Sequence, residues 1–247
     1  MGFPDQAFGD DFGPSRPHRV RFGAIGEGWG LFKERWTTWV LAGLIVLMGN
    51  SALLGALQPL FHAKLPAGGR GFRFEVPPAT ELIPAVIVAM VNGLFLGGMF
   101  RLAGLQIRGR RITLSDFFGV IDVFGELALG SAVLGLGLSI AASFCFVPAL
   151  ILAGTWMFTI PLIVDGRLRA FEAVKRSWGA LAGQWLSATL FHAVVSLVAG
   201  LGGCCFFLGI CFTMPLYCLS ISVLYRDFFF SPGPDDFDKP AASDPDF

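Results

Sequence analysis

One side chain in this sequence has both the type and the depth for membrane chemistry. His192 lies inside a long apolar stretch and shares a helical face with Thr189 and Ser196. A buried imidazole can relay protons or hold a ligand, and it does so best with a carboxylate partner. No Asp, Glu or Lys occupies the middle of an apolar stretch. His192 is therefore expected to tie helices together through hydrogen bonds. Asn50 and Asn92 are polar residues at similar depth. With His192 they define a candidate ligand path, or else they bridge helices. Asp116, Asp122, Glu126, Asp165 and Glu172 border the apolar stretches with Arg interleaved, which reads as caps and solvated faces. No HExxH, GxSxG, P-loop or dinucleotide fingerprint occurs, so no catalytic, metal-binding or cofactor-binding residue is expected. Five cysteines form no CxxC pair. They read as small apolar fillers, with a disulfide from Cys145 to Cys204 or Cys205 as the sharper alternative.

The elements that hold these residues are apolar and long. Of 247 residues, 54% are hydrophobic and 15% charged, against about 25% charged in soluble domains. A helix needs about 20 residues to cross the hydrocarbon core. The first crossing is read from Trp36 to Phe61 and the second from Leu82 to about Ile107. The stretch 127–164 splits at Ser143–Pro148, and 185–225 splits at Gly200–Cys205. The fold class is thus all-α: a polytopic membrane protein of six transmembrane helices arranged as three hairpins. Fifteen Lys and Arg fall on one side of these crossings and three, Lys64, Arg70 and Arg73, on the other. The excess places both termini in the cytoplasm. The net charge is zero, which gives no case for a nucleic-acid partner.

Each hairpin is preceded by an amphipathic stretch. Ile25, Trp29, Phe32, Trp36 and Trp39 recur at helical spacing. So do Leu114, Phe117, Ile121 and Phe124, and then Leu168, Phe171, Val174, Trp178, Leu181 and Trp185. Each is expected to be a helix in the cytoplasmic headgroup layer, with Trp29, Trp178, Lys175 and Arg176 on its working surface. Thr113 and Asp116 fit a capping box, and Asp165 fits an N-cap. Pro161 and Pro215 should kink their helices. The membrane domain covers 21–228, in units of about 21–107, 108–164 and 165–228. Tails 1–20 and 229–247, rich in Gly, Pro and Asp, are expected to be disordered. Gly93 and Gly97 form GxxxG, and Ser131, Gly135 and Ser139 repeat at the same spacing, both suited to close helix approach.

The segment Phe144 to Trp178 resembles a superfamily of bacterial six-helix membrane proteins of unknown function, which includes the membrane domain of some glycerophosphodiester phosphodiesterases. The likeness rests on Pro148, Pro161-Leu162 before Asp165-Gly166, Glu172-Ala173 to Ser177-Trp178, Tyr225-Arg226-Asp227 and the run Gly109–Phe118. It departs at Pro148-Ala149, where Pro-Gly is usual. The resemblance implies a fold and a location, with no activity. The expected role is a non-enzymatic module that organises the bilayer or a protein partner at the cytoplasmic face. A small-solute transporter or channel is the alternative, and a lipid-related membrane enzyme the third reading. Oligomeric state is not legible.

Overall fold

The computed structural model describes residues 19–61, 79–144, 146–204 and 209–230. Among them the chain is entirely helical. Ten α-helices follow in order: α1 Gly23–Glu34, α2 Trp36–Phe61, α3 Ala79–Ile107, α4 Leu114–Phe117, α5 Phe124–Phe144, α6 Phe146–Thr155, α7 Thr159–Val164, α8 Ala170–Leu181, α9 Trp185–Cys204 and α10 Ile210–Phe229. Short 3-10 turns, Phe118–Val123 and Ala182–Gln184, lead into α5 and α9. Five segments are long and apolar enough to cross a membrane: 36–56, 86–107, 114–144, 146–164 and 170–203. Large apolar side chains cover the outside of the bundle. Met48 on α2, Phe144 on α5 and Leu197 on α9 are 71%, 78% and 65% exposed. A surface of this kind is stable against lipid and aggregates in water.

The long helices close a circuit in which α2 packs on α3, α3 on α5, α5 on α6, α6 on α9, α9 on α10 and α10 on α2. Small residues set the closest approaches, because lipid tails give apolar helices no hydrophobic drive to associate and packing must supply it. On α3, Ala89, Gly93 and Gly97 meet Gly135, Ser131 and Leu127 of α5 in antiparallel register. A Cβ at Gly43 would fall 2.8 Å from the Cys211 backbone, and one at Gly154 2.6 Å from the Thr189 Cα.

Two findings bear on the expected surface helices. First, α1 lies lengthwise and antiparallel on α10: Arg21 pairs with Asp227, Gly28 packs on Ser220, and the Phe32 ring meets Phe212. It is part of the bundle along its length. Second, the residues expected on one apolar face divide between two. Phe32, Trp39, Phe117 and Leu181 are buried in protein, whereas Trp29, Trp36, Ile121, Phe171, Trp178 and Trp185 are exposed. The faces that touch protein are built from smaller residues, Ala24 and Gly28 in α1 and Ala170, Ala173 and Ser177 in α8.

The chain also bends between α8 and α9. Ser177 and Thr189 both touch the stretch 154–158, although a straight helix would hold them about 18 Å apart. The 3-10 turn Ala182–Gln184 takes up this bend. Pro161 sits in α7 just after a break at 156–158, and Pro215 lies inside α10, whose helical span continues through it.

Candidate functional site

The ion pairs among the described residues gather at one end of the bundle. Arg21 pairs with Glu27 and Asp227, and Arg226 pairs with the same two carboxylates, joining α1 to the end of α10. Arg108, just past α3, pairs with Asp165 at the end of α7, and its guanidinium lies 5.3 Å from the Phe230 ring centroid. Arg167 pairs with Asp122. Glu126 accepts a 2.9 Å hydrogen bond from the Ala170 N–H, one of the orphan donors at the start of α8. Asp165 therefore closes α7 and pairs with Arg108; Arg169, not Asp165, stands at the N-cap of α8. The Asp116 carboxylate accepts from both the N–H and the hydroxyl of Thr113, at 2.8 and 2.6 Å. Each of Asp116, Asp122, Glu126 and Asp165 thus has its own local partner. They do not converge on a shared reacting centre, and among the described residues no group of His, Cys, Asp and Glu could hold a metal ion.

Two polar side chains to which the sequence assigned no role hold the interior together. Ser177 of α8 is fully buried beside the break between α6 and α7. Its hydroxyl donates to the Thr155 carbonyl at 2.8 Å and accepts from the Phe158 N–H at 3.2 Å. One hydroxyl thereby satisfies two backbone groups that the broken helix leaves open. Gln106 of α3 accepts from Trp39 Nε1 and donates to the Leu31 carbonyl, each at 2.7 Å, so it binds α1, α2 and α3 at one point. The only sequence signal for either is a polar residue amid apolar helical spacing.

A cleft of about 270 Å³, open on one side, lies between α3, α5, α6, α7, α9 and α10. Asn92, Ser131, His192 and Tyr217 are its polar lining, and Leu96, Phe100 and Trp156 are among its apolar walls. Asn50 does not line it, so the three expected path residues are not brought together. The His192 ring meets Tyr217 edge-on at 5.9 Å, while its Nδ1 and the Ser131 hydroxyl have no hydrogen-bond partner. The Thr189 hydroxyl is likewise unpartnered. His192 thus packs through its ring and not through the expected hydrogen bonds.

No protein-family model, no curated protein and no solved structure matches this chain. Its function is therefore read from its own geometry.

The four expected surface residues have separate fates. Trp29 is exposed and stacks on Phe32, with ring centroids 5.4 Å apart. Trp178 and Lys175 are exposed on α8. Arg176 is half-buried and within electrostatic reach of Tyr225, so it belongs to the charged cluster around Asp165. Cys211 and Cys218 are free thiols. Cys145, Cys205 and the side chain of Cys204 lie outside the described residues, as do residues 1–18 and 231–247 of the expected tails and the three basic residues of the 62–78 loop. Val20 and Phe229, placed in those tails, instead pack on the core, and α10 runs through Phe229.

Proposed function

We propose that the chain crosses the bacterial cytoplasmic membrane six times with both termini inside. It works there as a non-enzymatic module that organises lipid or a protein partner at its charged end. One observation carries this reading: α8 turns Phe171 and Trp178 outward beside the exposed Lys175, while Ala170, Ala173 and Ser177 face the protein. Residues seven apart fall on nearly one line of a helix. Trp next to Lys on such a line suits the boundary between acyl chains and headgroups. The paired and capped carboxylates of the charged end support a structural role over a catalytic one.

The sixth crossing is assigned to α10. Its 20 residues are long enough to span, and Arg226 and Asp227 lie at its end, where charge reaches water. The resemblance seen in Phe144–Trp178 supports the same six-helix reading.

The cleft favours a second reading, passage or binding of a small neutral solute past Asn92 and His192. A cell phenotype that a deletion exposes separates the two. Phe171→Ala, Lys175→Glu and Trp178→Ala together should abolish complementation at normal expression. His192→Phe, which fills space and removes an unpartnered polar atom, should complement fully. A healthy triple variant beside a dead His192→Phe would reject the module and favour the solute path.

A further inference from the structure

We propose that Arg101 and the groove beside it bind one anionic phospholipid, with the phosphate on the guanidinium and an acyl chain in the groove. The inference rests on the membrane reading above and extends it to a specific lipid class. Arg101 lies in α3, six residues before its end at Ile107, or roughly 9 Å of helical rise. That depth is near the boundary where an Arg meets headgroups. Its guanidinium lies flat over Gly119: a Cβ there would fall 2.7 Å from Nε, 2.8 Å from Cζ and 2.9 Å from Nη2. Nε is buried and has no hydrogen-bond partner, and among the described residues no carboxylate makes an ion pair with this side chain. Asp116 is within electrostatic reach and offsets part of the charge at a distance, but its hydrogen bonds go to Thr113 and it makes no ion pair with the guanidinium.

An unpaired guanidinium in an apolar setting is costly and calls for an anion. The surroundings say which kind. Residues on either side of Gly119 line an apolar groove of about 300 Å³, walled by Leu94, Phe95, Phe118, Ile121 and Phe124 and almost devoid of polar surface. Phe118, Ile121 and Phe124 are spaced by three residues through a 3-10 turn, whose three-residue period lines them up. All three are exposed, Ile121 at 66%. Leu94 is seven residues before Arg101, so it lies on the same face of α3 and about 10 Å deeper. Charge at the shallow end and a hydrocarbon slot running deeper match a phosphodiester and its acyl chain. A soluble phosphate would leave the slot empty.

The test uses the full chain in mild non-ionic detergent with equimolar palmitoyl-oleoyl phosphatidylglycerol and phosphatidylcholine, read by native mass spectrometry. Wild type should carry a single lipid with about tenfold preference for phosphatidylglycerol, as charge-assisted bonds to an uncompensated anion predict. Arg101→Gln should bring the two lipids to parity, and Arg101→Lys should restore part of the preference. Gly119→Ala keeps every charge but displaces the guanidinium, and should weaken the preference. Arg110→Gln, an exposed residue beyond α3, should leave it intact. Inorganic phosphate should not displace the lipid. Parity in wild type, an unchanged preference in Arg101→Gln, displacement by phosphate, or a lipid-free dimer covering the groove would each overturn the site. Should Arg101→Gln fail to fold, the wild-type and Gly119→Ala arms still decide. The topology reporters described in the Discussion read the membrane arrangement independently, so loss of the lipid site and loss of that arrangement give different results.

Discussion

At the scale of single residues, polar side chains in this protein repair backbone and small ones permit contact. Ser177 makes the first point. Ser177→Ala removes the partner of both the Thr155 carbonyl and the Phe158 N–H in a buried site. An unsatisfied buried group costs about 1–3 kcal/mol. The variant should therefore lower the free energy of unfolding, read from denaturant titration, by an amount in that range, and Ser177→Thr should recover less than a hydroxyl's full value because its methyl crowds the break. The glycines make the second point by contrast. Gly154→Ala drives a Cβ into the Thr189 backbone, and overpacking of this kind costs about 1–3 kcal/mol. Gly179→Ala meets nothing within 4 Å and should stabilise by about 0.5–1 kcal/mol through helix propensity. Thermal melts of the two variants should move in opposite directions. Sequence spacing pointed to Gly93, Gly97, Ser131 and Gly135 as packing residues, because four-residue repeats of small side chains have one use. It did not single out Ser177 or Gln106. Their roles depend on which backbone groups lie open nearby, and that is settled only when the helices meet.

At the scale of elements, long apolar runs were legible and their facing was not. The start and end of α2 follow from the apolar run Trp36–Phe61, and α5 ends at Phe144 within the expected split Ser143–Pro148. Residues 200–204, expected as a turn, are instead the last residues of α9, because an apolar, Gly-rich run can also stay helical. The side of α1 and α8 that meets protein was not legible from apolar spacing. Hydropathy separates apolar from polar, but lipid and protein interior are equally apolar, so Trp178 and Leu181 look alike in sequence while one faces out and the other in. Residue size carried the missing information, since close helix contacts favour Ala, Gly and Ser. The expectation for α8 can be checked directly. Nitroxide labels at 171 and 178 should be relaxed by oxygen dissolved in lipid. A label at 175 should respond to a water-soluble nickel reagent. Equal responses at all three positions would show that α8 does not lie at the boundary.

At the scale of the whole molecule, the ion pairs among the described residues sit at one end of the bundle and exposed apolar side chains cover its outside, and the fifteen-to-three sequence bias of Lys and Arg sets the topology test. Reporter fusions after Gly69 and after Pro240 should lie on opposite sides of the membrane, with the second in the cytoplasm. Finding both on one side would remove the six-crossing arrangement. The same axis has a consequence in time. Arg21 and Asp227, which hold the first helix to the last, are 206 residues apart. At about 5–20 residues per second of synthesis, α1 leaves the ribosome roughly 10–40 s before the helix it rests on exists. Through that interval the face of Ala24, Gly28 and Phe32 has no native partner, and every chain cut short before α10 keeps it bare. Such a face is what a quality-control protease or a membrane chaperone reads as unfinished, so nonsense truncations of this protein should be cleared from the cell far faster than missense variants of equal stability.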